Sequence, residues 1–129
     1  MASADSIYVY RTMFRNRDYV FLLEANNNGR KARVLQARQK LPTPTVKKYE
    51  EVEEFLDVEV STKHQPLTQE EVEEMSTDAQ EKYFKHGQGN LRITQAVGPF
   101  HKGGELEQVK FLPSHERKAY RKIFAGGVF

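Results

Sequence analysis

The chain has 129 residues, with 38% hydrophobic and 29% charged side chains and a formal net charge of +2. These values are typical of a small globular domain on the polar side of the range, and the length is sufficient to bury a core. The absence of cysteine excludes disulfides, thiolate metal sites and a cysteine nucleophile.

No apolar run approaches the ~18–20 residues that a membrane-spanning helix needs, so the composition predicts no association with a membrane. The first five residues, Met-Ala-Ser-Ala-Asp, lack the basic and apolar regions of a signal peptide. The sequence therefore predicts synthesis in the cytoplasm.

Residues 6–38 contain three apolar-rich runs, 7–13, 18–25 and 30–37, whose Tyr, Val, Ile and Phe residues favour strands. Asn16 provides turn chemistry in the first gap. The second gap, Asn26–Gly29, is the stronger turn signal, because Asn and Gly tolerate the positive φ of tight hairpin turns. The pattern predicts an antiparallel three-stranded meander on which the rest of the chain packs.

Residues 39–45 include two prolines one residue apart and predict an extended crossing. The acidic segment 46–86 is predicted to be helical. Its first part has apolar residues at helical spacing, namely Val46, Tyr49, Val52, Phe55 and Leu56. Residues 56–60 alternate strictly and also fit a short strand, so we expect the helix to pass into a strand near Asp57.

The same acidic segment contains a second helix signal. Thr68 and Glu71 form the Thr-x-x-Glu pattern of a capping box, which marks a helix start. Ser76–Asp78 interrupts the run with residues that prefer caps to helix interiors. The sequence is therefore compatible with one long helix and also with two short helices split near Ser76.

Residues 87–112 are glycine-rich and contain two candidate strands, 91–97 and 106–112, joined at 98–104 by a long hairpin loop or an exposed flap. Pro113 and Ser114 mark the start of a basic helix over 114–124, whose predicted apolar stripe consists of Ala119, Tyr120, Ile123 and Phe124. We therefore predict a single domain over residues 1–129 of the α+β class. Its antiparallel sheet would have about five strands, the N-terminal meander plus the C-terminal pair, with two or three short helices.

No motif in the chain indicates a reaction. The glycines of Gly87-Gln88-Gly89 follow a helix and precede a strand, which is the reverse of a phosphate-binding loop. The histidines lack the spacing of metal ligands, and the acidic pairs are typical of solvated helix faces. The sequence thus predicts no catalytic residue, no metal site and no cofactor, in a protein that is not an enzyme.

Charge is divided unevenly along the chain. Residues 1–48 hold ten basic and three acidic residues, residues 49–84 hold two and twelve, and residues 85–129 hold eight and three. Such segregation steers association with charged partners if the blocks stay apart. The alternative is that the acidic middle folds back on the basic ends.

The basic residues of the meander are interleaved with aromatic residues, a combination that suits single-stranded nucleic acid or a protein interface equally. Alternation along the first strand implies that some of these aromatic side chains belong to the core. The candidate nucleic-acid-binding residues are Arg11, Arg15, Arg17, Arg30, Lys31, Arg33, Arg117, Lys118, Arg121 and Lys122.

The leading functional prediction is a non-enzymatic structural or interaction subunit of a larger homo- or hetero-oligomeric assembly, for example a viral coat, decoration or connector protein incorporated in a virion. Glycine-flanked apolar residues would dock on neighbouring subunits, namely Phe100, Val128 and Phe129. A small nucleic-acid-binding protein is the alternative, and an inhibitor of another macromolecule is the third hypothesis.

Overall fold

A computed structural model describes residues 6–25, 30–41, 48–65, 68–78, 80–81, 90–108 and 114–124. Within these ranges the chain forms strands, one turn of 3-10 helix at Glu53–Phe55 and two α-helices with defined bounds, and residues 77–78 and 80–81 are also helical. The strands are β1 (Ser6–Phe14), β2 (Arg17–Ala25), β3 (Lys31–Lys40), β4 (Tyr49–Glu51), β5 (Glu59–Gln65), β6 (Asn90–Ile93) and β7 (Glu105–Gln108). The helices are α1 (Gln69–Glu74) and α2 (Ser114–Ile123).

Six of the strands close into an antiparallel barrel in the order β1-β2-β3-β5-β6-β7, with β7 pairing back onto β1. The seventh strand, β4, pairs with β3 on the same edge as β5. The prediction of an α+β protein with an open sheet of about five strands and two or three helices is therefore wrong. The described part of the chain is mostly sheet, and its helices are small.

The prediction of helix was wrong in the first part of the acidic segment. Its apolar residues have helical spacing, yet the backbone from Tyr49 to Val60 runs along the edge of β3 as β4, the 3-10 turn and β5. Backbone bonds continue this pairing, from Val52 N to the Ala37 carbonyl and from Asp57 N to the Val34 carbonyl. The edge of β3 needs a partner before the barrel can close, and this tertiary requirement overrides a weak local preference for helix.

The N-terminal meander is confirmed. β1 and β2 pair over nine residues and are joined by a two-residue turn in which Arg15 and Asn16 have φ of 54° and 62°. Two central residues with positive φ are the requirement of a type I′ hairpin turn, which Asn meets readily. β3 continues the meander with a bulge opposite Leu22 and Leu23, while residues 26–29 lie outside the described ranges.

The barrel interior is filled by side chains that alternate along the strands. Tyr8 and Tyr10 point inward from β1, and Phe21 is fully buried on β2. Phe21 lies between Phe55 and Phe100, with ring centroids 5.6 and 4.7 Å away. The other buried members of this cluster are Tyr19, Leu23, Ala25, Ala32, Val34, Ala37, Val60, Leu91, Ile93 and Leu106.

The outside of β1 and β2 is covered by α2, as its amphipathic pattern predicts. Tyr120, Ile123 and Phe124 pack against a second apolar cluster that includes Val9, Val20 and Leu22. β2 is therefore buried on both faces in its centre, which explains why it reads as a continuous apolar run rather than an alternating one. Burial of this stripe fixes the opposite face of α2 toward solvent.

The capping box predicted at Thr68 is present at the start of α1. Thr68 Oγ1 accepts from Glu71 N, and Glu71 Oε1 accepts from Thr68 N. α1 ends at Glu74, which excludes one long helix through Ser76. Neither α1 nor α2 has the length and apolar character needed to span a membrane.

Candidate interaction surface

The outward face of α2 carries three exposed cations, Lys118, Arg121 and Lys122, which we call the α2 basic face. Spacings of three and four residues place these side chains on one side of a helix, opposite Tyr120, Ile123 and Phe124. None of the three forms an ion pair with an acidic side chain that the structure describes. Arg117 falls in the same helix, but its side chain lies outside the description.

Several other basic residues are neutralised by the acidic middle of the chain. Arg15 pairs with Glu54 at 3.4 Å, Lys31 with Glu59 at 3.7 Å, and Arg33 with Asp57 at 3.8 Å. Arg33 also lies 3.6 Å from Glu24. The alternative in which the acidic block folds back on the basic meander is thus confirmed for these three residues.

Another ion-paired cation, Arg92, is only 17% exposed and joins Glu71 of α1 to Glu105 of β7. The Arg92 hydrogen bond, assisted by Thr68 N, lowers the pKa of Glu71 below its ordinary value of 4.5. This cluster fastens α1 to the barrel wall. The cluster stabilises the fold, and Arg92 is therefore not available to a basic binding surface.

Tyr120, on the buried side of α2, connects the helix to two strands of the barrel. Its hydroxyl donates to Glu107 on β7 at 3.1 Å and also contacts the Arg11 side chain of β1. Burial, together with the Glu107 carboxylate, raises the pKa of Tyr120 to about 12. Arg11 is exposed and therefore adds positive charge beside α2.

The aromatic side chains that suggested a nucleic-acid platform lie in the barrel interior. Tyr8, Tyr10, Tyr19 and Phe21 are all buried, so they cannot stack on the bases of a bound strand. Phe14 is half-buried and lies under the Arg15 guanidinium, 4.7 Å from the ring centroid. Of the remaining candidate cations, Arg17 and Arg30 are exposed.

Of the three docking residues predicted from the sequence, the structure describes Phe100. Phe100 is fully buried and stacks on Tyr10, so this structure does not present it to a neighbouring subunit. Residues 98–104 are correspondingly not an exposed flap, because Val97 and Phe100 pair through two backbone hydrogen bonds. Val128 and Phe129 lie outside the described residues, and their docking role stays a prediction.

One pair of chemically active side chains could not be found from the sequence. Thr12 Oγ1 lies 3.0 Å from His101 Nε2 at one end of the barrel, joining β1 to the β6–β7 loop. No short-range sequence pattern predicts a contact between positions this far apart along the chain. The pair is exposed, and no carboxylate in the described part of the chain is bonded to the imidazole.

No set of three or more His, Asp or Glu side chains within the described ranges is arranged to hold a metal ion. No family model, curated protein or solved structure matches the chain.

Proposed function

We propose that the protein is a non-enzymatic interaction subunit of a macromolecular assembly, and that it docks through the α2 basic face onto an acidic partner. The observation that carries this proposal is the contrast between two groups of cations. Arg15, Lys31 and Arg33 have acidic partners on the barrel wall, whereas Lys118, Arg121 and Lys122 have none among the described side chains.

The barrel supports α2 as a rigid base. Tyr120, Ile123 and Phe124 are each at least nine-tenths buried against the β1–β2 face. The Tyr120 hydroxyl adds a tie to Glu107 across the β1–β7 seam. A helix held on two strands in this way keeps its cations in a fixed arrangement, which lowers the entropic cost of binding several anionic groups at once.

Individual exposed ion pairs contribute only about 0–1 kcal/mol, so one cation would not define a docking surface. A group of three on one helix face acts together and raises the association rate with an anionic partner. Binding of this kind weakens as salt is added, because the Debye length falls from about 10 Å at 0.1 M to about 3 Å at 1 M.

The test is native mass measurement of the protein isolated at low salt, in three forms. The first is the unmodified chain. The second is the α2 variant Lys118→Gln/Arg121→Gln/Lys122→Gln. The third is a control, Arg17→Gln/Lys63→Gln/Lys102→Gln, which removes the same number of exposed lysines and arginines from outside α2.

We expect complexes for the unmodified chain and the control, and a free 15.0 kDa chain for the α2 variant. Complexes that persist in the α2 variant would show that docking uses another surface. A free chain in all three forms would contradict the proposal that the protein docks onto a partner.

A further inference from the structure

We infer that the acidic partner of the α2 basic face is the phosphodiester backbone of a nucleic acid, bound without recognition of base sequence. This inference rests on the proposed docking function and names the partner of that surface. Three observations favour phosphate over an acidic protein: the chemistry of the exposed face, the location of the aromatic residues and the spacing of the cations.

The exposed face of α2 lacks an apolar anchor. Between residues 118 and 122 the outward side chains are Lys118, Ala119, Arg121 and Lys122. The energetically dominant residues of protein interfaces are buried aromatic and large apolar side chains with arginine, and lysine is depleted there. Phosphate binding needs no such anchor, because the release of condensed counterions supplies the free energy.

Met13 is the large hydrophobic residue that the described surface does expose, at 59%. It lies on β1 near the β1–β2 turn, opposite Asp18, and it is not part of α2. A single exposed methionine is normal for a soluble protein and does not make an interface patch. The observed surface is thus better suited to a polyanion than to a protein with an apolar centre.

The buried aromatic residues decide between two modes of nucleic-acid binding. A stacking platform needs exposed rings on a sheet, but Tyr8, Tyr10, Tyr19 and Phe21 fill the barrel. Contacts must then be made to phosphates, which carry no sequence information directly. Lys118 and Lys122 are separated by about 6 Å along the helix axis, which is close to two steps of about 3.4 Å between phosphates of one DNA strand.

The expected salt dependence follows from the number of cations. Three phosphate contacts give a slope of about −2.7 for the logarithm of the affinity against the logarithm of salt concentration on duplex DNA. Between about 50 and about 200 mM salt this corresponds to a loss of affinity of about 40-fold. Each cation removed should reduce the slope by about one.

The experiment measures fluorescence anisotropy of labelled probes with the full chain, the α2 variant and the Arg17/Lys63/Lys102 control described above. The probes are a short DNA duplex, an RNA duplex of the same sequence, a DNA duplex of scrambled sequence and poly-L-glutamate. Thermal unfolding by circular dichroism checks that all three proteins fold equally, as expected because every substituted side chain is exposed.

We expect the unmodified chain and the control to bind the DNA duplexes with equal affinity for both sequences and with the salt slope given above. The α2 variant should lose that slope and bind at least ten-fold more weakly at low salt. The RNA duplex distinguishes the source of the phosphate: equal binding indicates general phosphodiester recognition, and a preference identifies the strand type.

Binding to poly-L-glutamate alone, lost in the α2 variant, would overturn the nucleic-acid inference while leaving the proposed docking function in place. Binding to none of the probes would overturn both. Duplex binding that the α2 variant retains and the control loses would move the site to the sheet and reject this assignment.

Discussion

The ring of Phe100 stacks on the ring of Tyr10 inside the barrel, with centroids 5.4 Å apart and planes inclined by 25°. Phe100 comes from the loop between β6 and β7, whereas Tyr10 lies in the middle of β1. His101, the next residue, donates its backbone N–H to the Tyr10 hydroxyl at 3.3 Å. This contact attaches the loop to the barrel interior and turns an apparent arm into part of the core.

Replacing Phe100 with alanine should therefore destabilise the isolated chain by about 3–5 kcal/mol, because the change removes a fully buried ring and leaves a cavity. Denaturant-induced unfolding measures this free energy. Met13→Ala is the matched control at an exposed position and should change stability by less than about 0.5 kcal/mol. Equal stability of Phe100→Ala and the unmodified chain would contradict the buried position of this ring.

Gly104 illustrates the same packing from the backbone side. A Cβ atom at this position would approach Tyr10 Cε1 and the Tyr10 hydroxyl oxygen to 2.9 Å, and the His101 carbonyl to 3.1 Å. Gly104→Ala should thus cost about 1–3 kcal/mol through overpacking. In a Tyr10→Ala background the same substitution should cost less, since the ring is gone; identical costs in both backgrounds would rule out the steric explanation.

The raised pKa of Tyr120 predicts a loss of stability in alkaline solution. The folded protein retains the Tyr120 proton up to about pH 12, whereas an unfolded chain releases it near 10. Between these values the folded state binds more protons, so the free energy of unfolding decreases as the pH rises. The contribution is fully present below pH 10 and is lost as the pH passes through about 12.

The measurement compares urea unfolding of the unmodified chain and Tyr120→Phe across this alkaline range. The unmodified chain should lose stability more steeply, because the two proteins differ only in the Tyr120 hydroxyl. Absorbance titration of tyrosinate should also show a group near pH 12 that is missing in Tyr120→Phe. Parallel stability curves would mean that Tyr120 is not protected by burial and Glu107.

Glu71 gives a prediction at acidic pH. Its pKa is lowered by the Arg92 guanidinium and by Thr68 N, so the carboxylate form is favoured in the folded state. This contribution is present above the ordinary value of 4.5 and is lost as the pH falls through the lowered pKa. An NMR titration of the Glu71 carboxyl should give a midpoint below 4.5.

Arg92→Gln tests the cause of that shift. The variant removes the first of the interactions that lower the Glu71 pKa, so the titration midpoint should move up toward 4.5. Hydrogen exchange in α1 should become faster at the same time, because Arg92 also connects this helix to Glu105. Arg17→Gln, the same substitution at an exposed position on β2, is a matched control that should leave the midpoint unchanged.

The sequence by itself determined the local elements whose signals are short-range. Asn16 marks a two-residue turn, and Thr68 and Glu71 mark the start of α1. Of the predicted apolar stripe of α2, Tyr120, Ile123 and Phe124 are buried, whereas Ala119 is exposed. In each case the residues that carry the signal also make the contacts that satisfy it. The cationic face of α2 could be anticipated for the same reason, because helical periodicity places like residues on one side.

The tertiary structure alone decided which strands meet and which cations remain available. Val52 and Phe55 have helical spacing, but the open edge of β3 holds their segment extended. Phe100 follows a glycine and a proline and looks exposed in the sequence, yet the barrel interior buries it against Tyr10 and Phe21. Arg33 and Lys118 are both basic residues in basic parts of the sequence. Only the fold places Asp57 beside Arg33 and leaves Lys118 exposed to solvent. The physical reason is common to all three cases. Strand pairing, burial and ion pairing join positions far apart in the chain, and local residue patterns do not predict which distant positions meet.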